Sequence, residues 1–276
     1  VGASADIIKS RKNPLVQRAR EVRDGREREL IFVEGVRLCE EATRAALDFE
    51  IVLHTPAMAG SERGARLLID LGRRAARTQA ADEEVFDFLS DTKTAQGVVA
   101  LARRPRAGPE VIESRNATPL VVVMHRANNP SNAGAMLRVA EAAGATAAVA
   151  THGSTDLFSP KSLRGSMGSA FRLPLWTGPS LAEVLEWCRA RGVRLVATAA
   201  DAEQAHTELD WTTPRAVLVG PEAGGLTDEE TRAADDRLRI PMRPPVESLN
   251  VAVALGVVLY EAARQRGWEQ APGFGG

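Results

Sequence analysis

The feature that most restricts the fold is a series of short, predominantly apolar segments in the second half of the chain. They read PLVVVMH (119–125), TAAVAT (146–151), VRLVATAA (193–200), RAVLVG (215–220) and LRIPM (238–242). A strand with one wet face alternates apolar and polar residues, whereas continuous runs suit strands of a parallel sheet buried on both faces. Between them, AGAMLRVAEAAG (133–144), SLAEVLEWCRARG (180–192) and TDEETRAAD (227–235) carry helix-compatible spacing. The alternation predicts an α/β fold built on an open, mostly parallel sheet. Such sheets bind ligands at the carboxyl ends of their strands, so the turns that follow strands are where function is sought.

The sequence changes character near residues 103–118, RRPRAGPEVIESRNAT, where prolines, arginines and polar residues break the periodicity. Residues 1–106 are expected to form a small α/β domain, 107–118 a linker and 119–276 the larger domain. In the smaller domain, helices are expected at 13–23, 36–47 and 65–75. Strands are expected at 31–35, 50–55 and 97–104.

Three strand-to-helix turns are overfurnished. The first, NNPSNAGAMLR (128–138), offers Asn132 as a helix cap and Gly144 as the later stop. Asn128, Asn129 and Arg138 remain, next to the free N–H groups of a helix start. Arg138 suits either a phosphate or a surface pair with Glu141. The second, VLVGPEAGGLTDEE (217–230), places Glu222 among glycines that permit a sharp turn and close ligand approach. It matches neither GxGxxG nor a P-loop. The third, RIPMRPPVESLNVAVALGVVLYE (239–261), sets Glu247, Ser248 and Asn250 at the mouth of a strongly apolar helix. Capping explains one of these polar residues but not all. The helix itself is core material, to be buried between layers or at a subunit interface.

Composition narrows the class. With 44% hydrophobic and 26% charged residues, the chain reads as an ordinary globular protein, and a formal net charge of −1 gives no global basic field. Cys39 and Cys188 lie far apart inside helical patterns and are expected to be reduced buried thiols. No metal-ligand spacing is present, so no metal is expected. The start has no apolar core segment of a signal peptide, and the longest apolar run, 251–260, is about half a membrane span. A cytoplasmic protein that does not enter membranes is expected. Basic residues nevertheless cluster locally: Arg11, Lys12, Arg18 and Arg26 near the N-terminus, and Arg164 between the first two turns.

Taken jointly, NPSNAGAMLRVAEAAGA, VGPEAGGL and IPMRPPVESLNVAVALGVVLYE resemble the three ordered motifs of the SpoU (TrmH-type) RNA ribose 2′-O-methyltransferases of the SPOUT superfamily. KSLRGSMGSAFRLPL (161–175) resembles the family's segment between the first two motifs. IFVEGVRLCEEA and DTKTAQGVVALARRP resemble the small substrate-binding domain of rRNA-directed members, so the resemblance covers nearly the whole chain. It implies an L30e-like N-terminal domain and a catalytic domain whose sheet carries a C-terminal trefoil knot, an exception to unknotted connections. It also implies S-adenosylmethionine as cofactor and a homodimer that assembles the site. By similarity the cofactor would lie against Val219, Gly220, Ile240, Met242 and Leu249. Arg138 and Asn132 fall on the essential residues of motif one, and Glu222, Ser248 and Asn250 on polar positions of motifs two and three. Because arginine stays protonated, Arg138 fits a phosphate grip that orients the ribose hydroxyl better than it fits a base.

The resemblance points to large-subunit 23S rRNA as substrate, and it implies RNA contacts at the local basic clusters, Arg11, Lys12, Arg18, Arg26 and Arg164. Some members protect antibiotic producers by methylating 23S rRNA; the arginine-rich composition is compatible with that branch and equally with a housekeeping enzyme. A tRNA methyltransferase and a catalytically silent RNA-binding relative are the alternatives. So is a nucleotide-cofactor enzyme on a conventional doubly wound sheet, which the missing GxGxxG disfavours.

Overall fold

The structure is a computed structural model, and it describes residues 7–91, 95–113 and 118–267. In chain order the elements are α1 (Pro14–Arg23), β1 (Leu30–Glu34), α2 (Val36–Arg44), β2 (Phe49–His54), α3 (Pro56–Gly60), α4 (Glu62–Gly72), β3 (Ala75–Ala80), α5 (Glu83–Leu89), β4 (Val98–Arg103) and α6 (Pro109–Ile112). They continue as β5 (Leu120–Met124), α7 (Pro130–Ala142), β6 (Ala147–Ala150), α8 (Pro160–Ser166), α9 (Ser169–Arg172), β7 (Leu175–Thr177), α10 (Leu181–Ala190), β8 (Arg194–Thr198), β9 (Arg215–Val219), α11 (Asp228–Arg232), β10 (Asp236–Leu238) and α12 (Val251–Gln265). Two compact units result: 1–105 with 158–172, and 106–157 with 173–276. Residues 114–117 of the expected linker lie outside the described residues.

The first unit holds a sheet of order β1-β4-β2-β3, with β4 antiparallel to both neighbours and β3 parallel to β2. Phe32, Leu53, Phe86, Leu89 and Leu101 anchor its core. The sequence expectation of a helix over 65–75 runs past the true end of α4 and misses β3. That edge strand exposes Ala76, Arg77 and Thr78, so it carries no apolar alternation to read. The segment 158–172 also belongs to this unit. Ser159 caps α8, and Arg164 reaches Asp91 at 2.7 Å and Glu34 at 3.7 Å. Gly168, at φ +93°, has Glu41 Cβ only 2.7 Å from where its own Cβ would stand, so the turn requires glycine.

The second unit is a sheet of order β10-β8-β9-β5-β6-β7 in which every pairing is parallel. All residues of β5 and β9 are buried, as continuous apolar runs require. Trp187, Cys188, Val184 and Leu195 form the core on the α10 side, and α12 packs against α7. The expected strand 238–242 is displaced: β10 ends at Leu238, and the chain then leaves the sheet. Pro241, Pro244 and Pro245 have no N–H to give a ladder, so the segment becomes a loop. Both cysteines are free and buried, and burial raises the Cys188 thiol to about 12.

Candidate active site

Pro130 occupies the first turn of α7, where its missing N–H costs nothing. The helix therefore starts earlier than expected, and the cap is Asn129, not Asn132. The Asn129 Oδ1 accepts from Ser131 N at 2.9 Å and Asn132 N at 3.3 Å. This correction releases the Asn132 side chain. Its Nδ2 donates to Glu222 Oε1, and its Oδ1 accepts from Asn250 Nδ2 at 3.3 Å. Asn250 in turn caps α12 through Oδ1, accepting from Ala252 N at 3.0 Å and Val253 N at 3.4 Å. One polar residue from each of the three turns is thus joined in a chain, Glu222–Asn132–Asn250.

That chain stands at a cleft of about 520 Å³ at the carboxyl ends of β8, β9 and β10. Val219, Gly220, Ile240, Met242 and Leu249 all line it, with Glu222, Glu247, Ser248 and Asn250 among the lining residues. The end of β8, Thr198–Ala200, contributes a wall that the sequence did not single out. Gly220 is there for space: an added Cβ would stand 2.7 Å from Leu226 N and 2.8 Å from the Gly225 carbonyl carbon. Gly224 and Gly225, at φ +83° and +63°, let the loop fold back in this way.

The cleft fits a nucleoside sulfonium. Apolar walls suit a purine, Leu249 is 38% exposed with its apolar surface uncovered, and the Glu222 and Glu247 carboxylates suit a cation. Arg239 also lines the cleft, but its guanidinium donates to the Ala202 and Glu203 carbonyls. Among the described residues no His, Cys, Asp or Glu group is arranged to hold a metal.

Arg138 is exposed on α7, six residues beyond Asn132 and so about 120° away from it around the helix axis. It is not part of the cleft wall, and among the described residues it makes no ion pair, including the surface pair weighed for Glu141. Of the basic candidates, Arg18 is held by Glu27 at 2.7 Å and Glu50 at 2.8 Å, which keep it firmly protonated, and Arg164 by Asp91. Arg11 lies over the Phe88 ring at 5.3 Å, and Arg11, Lys12 and Arg26 are exposed.

Sequence reasoning missed a buried group beside these turns. His125 follows β5, and its Nδ1 lies 3.0 Å from Thr151 Oγ1 and its Nε2 2.9 Å from Glu230 Oε1. Arg126 adds an ion pair to Glu230 at 2.8 Å. Burial works to raise the Glu230 carboxyl, but the Thr227 N–H, His125 and Arg126 together hold it below the usual range. Its only sequence signal is the T-x-x-E capping box at Thr227.

Residues 119–260 match the model of the SpoU rRNA Methylase family, and 13–100 that of the MRM3-like substrate binding domain. The chain belongs to the SpoU rRNA methylase family. Members are S-adenosylmethionine-dependent RNA ribose 2′-O-methyltransferases. The SpoU chain is 33% identical over 272 residues to an uncharacterized tRNA/rRNA methyltransferase of Synechocystis, covering 96% of each. It is 38% identical over 157 residues to the 23S rRNA (guanosine-2′-O-)-methyltransferase RlmB of Pseudomonas putida, which spans 57% of this chain and 63% of that protein. Its fold superposes with a TM-score of 0.84 on the SpoU methyltransferase AviRb from Streptomyces viridochromogenes, solved in complex with AdoMet; identity is 30%, covering 92% of this chain and 98% of that one. Among the described residues no helix is long and apolar enough to cross a membrane.

Proposed function

We propose that this SpoU enzyme methylates a ribose 2′-hydroxyl of 23S rRNA in the cytoplasm, with the cleft at β8–β10 holding the cofactor. The observation that carries this is the Glu222–Asn132–Asn250 chain at the cleft, uniting three turns far apart in sequence. S-adenosylmethionine bound there would supply an electrophilic methyl group, its sulfonium leaving as the neutral thioether when the methyl–sulfur bond breaks. Val219, Ile240, Met242 and Leu249 offer it apolar surface and exclude water, and Gly220 lets the backbone close in. Asn132, tied at both ends of its amide, is fixed in one orientation and holds the loop bearing Glu222 against α12. The Arg138 guanidinium grips a phosphate next to the target and orients the hydroxyl for in-line attack. The hydroxyl proton leaves late, through Ser248, phosphate or water.

A second copy of the chain completes this reading. α12 exposes Val253 (55%), Val257 (37%) and Tyr260 (45%) at helical spacing, an apolar stripe that a partner would cover. An Arg138 outside its own cleft wall suits a site assembled across two protomers. We also read 239–250 as the chain that passes through a loop to close a trefoil knot before α12. Of the five basic candidates, Arg11, Lys12 and Arg26 are exposed and suit RNA phosphates, while Arg18 and Arg164 are held in ion pairs within the first unit.

Tritiated methyl transfer onto 23S rRNA and tRNA, followed by reverse-transcription stops, tests the substrate. Label on a single 23S ribose is expected, and label on tRNA alone overturns the rRNA reading. The protective branch of the family falls under the same reading. Its test is whether expression in a sensitive host raises the inhibitory concentration of a ribosome-targeting antibiotic.

A further inference from the structure

Two of the three site-bearing turns meet on one carboxylate. Glu230 is the third residue of α11, the helix that opens where the Gly220–Leu226 loop ends. Its Oε2 accepts from Thr227 N at 2.8 Å, closing that loop. The same carboxylate accepts from His125 Nε2 at 2.9 Å and from Arg126 Nη2 at 3.0 Å, both in the turn that leads to Asn129 and Asn132. Being a carboxylate, Glu230 can only accept, so His125 carries its proton on Nε2. The other face of the ring meets Thr151 Oγ1, which also accepts from Arg126 N at 3.1 Å. His125 N donates to Val219 O at 2.9 Å, so the backbones join at the same place.

Fold alone does not require this arrangement. His125, at 6% exposed, is one of few buried polar residues in a sheet otherwise packed with Val, Leu and Ala. Arg126 takes a left-handed backbone, φ +50°, which a non-glycine residue adopts only when its surroundings hold it there. Burying an imidazole and bending an arginine into αL both cost free energy, and both serve one contact. That contact sets where the β5–α7 turn sits relative to the 220–227 loop, and hence how Asn132 meets Glu222.

We propose that His125, Glu230 and Arg126 are positioning residues for methyl transfer, a clamp that fixes the Asn132–Glu222 contact across the mouth of the cleft. The inference rests on the proposed function, and it assigns the clamp no contact with cofactor or RNA. A misplacement of about 1 Å at a reacting group costs on the order of 100-fold in rate, so loosening the clamp is read in turnover.

The test compares His125→Leu, His125→Gln and Arg126→Ala in the full-length protein. Glutamine places an amide N–H near the imidazole Nε2 and restores the donor to Glu230; leucine does not. Expected are a kcat lower by roughly 10- to 100-fold in His125→Leu, cofactor affinity by calorimetry within about twofold of wild type, and recovery of most of kcat in His125→Gln. Arg126→Ala, changed at a partly exposed side chain, should fold normally and show a smaller kcat loss with the same cofactor affinity. Unchanged kcat in both His125→Leu and Arg126→Ala would overturn the clamp. So would equal loss of cofactor binding and turnover with no recovery in His125→Gln, since the residue would then be a core support. If wild type itself transfers no methyl group to any RNA, the proposed function has failed; an active wild type with indifferent variants fails the clamp alone.

Discussion

Gly220→Ala is the sharpest probe of how the cleft is made. Gly220 does not sit in the left-handed region, so alanine brings no backbone strain, only a methyl group. That methyl would stand 2.7 Å from Leu226 N and 2.8 Å from the Gly225 carbonyl carbon, both backbone atoms that cannot swing aside. Ordinary contact begins near 3.4 Å, so the loop must retreat by about 0.7 Å. Overpacking of this kind costs about 1–3 kcal/mol. Residues 222–225 are exposed, so the loop gives way instead of unfolding the sheet, and the global cost should fall near about 1 kcal/mol. Most of the damage then appears in the cleft, because the moving segment carries Glu222 and Leu226. We expect S-adenosylmethionine affinity to fall by about tenfold or more, equivalent to about 1.4 kcal/mol, with a folded circular-dichroism spectrum. Gly256→Ala is the control. Its Cβ would meet Val139 Cγ1 at 3.5 Å, an ordinary contact, and helix propensity should stabilise the variant by up to about 1 kcal/mol. Calorimetric titration and thermal melting of both variants decide the matter. Cofactor affinity within about twofold of wild type in Gly220→Ala would refute the argument that close backbone approach shapes this cleft.

Arg138→Ala should abolish methylation while calorimetry still finds the cofactor bound; loss of binding together with the fold would make Arg138 structural. Val257→Glu places a charge in the exposed stripe of α12, and light scattering should then report monomers with little activity. A wild-type protein that is already an active monomer removes the dimer from the proposal. Asp236 sits between Arg194 at 2.8 Å and the buried Arg215, and the Arg194 hydrogen bonds, opposed by burial and aided by Arg215, hold its carboxyl below the usual range. A depressed folded value means the stabilisation is full above the unfolded value, about 3.9, and is lost as pH falls through the lower folded one. Asp236→Asn should therefore cost about 3 kcal/mol near neutrality in urea melts, and the gap from wild type should shrink below about pH 3. A constant gap down to that pH would show that another group sets the acid limb.

Much of the second unit was legible because local pattern and tertiary demand coincide. β5 and β9 are continuous apolar runs buried on both faces, so their sequence is their environment. β3 was not legible, since an edge strand with exposed Ala76, Arg77 and Thr78 has no period to betray it. Segment 158–172 gave no sign that it belongs to the first unit, because that membership rests on Arg164 and Gly168 meeting residues more than seventy positions away.

For the site, the sequence by itself singled out three turns, through polar residues in excess of any capping need at 128–138, 217–230 and 247–250. Only the tertiary structure decided what each does. Asn129 took the cap because Pro130 can start a helix, and that freed Asn132 for Glu222, 90 residues away, and Asn250, 118 residues away. The His125–Glu230 contact spans 105 residues. Local propensity acts over a few residues, whereas these bonds exist only once a parallel sheet has brought the ends of separate strands to one edge.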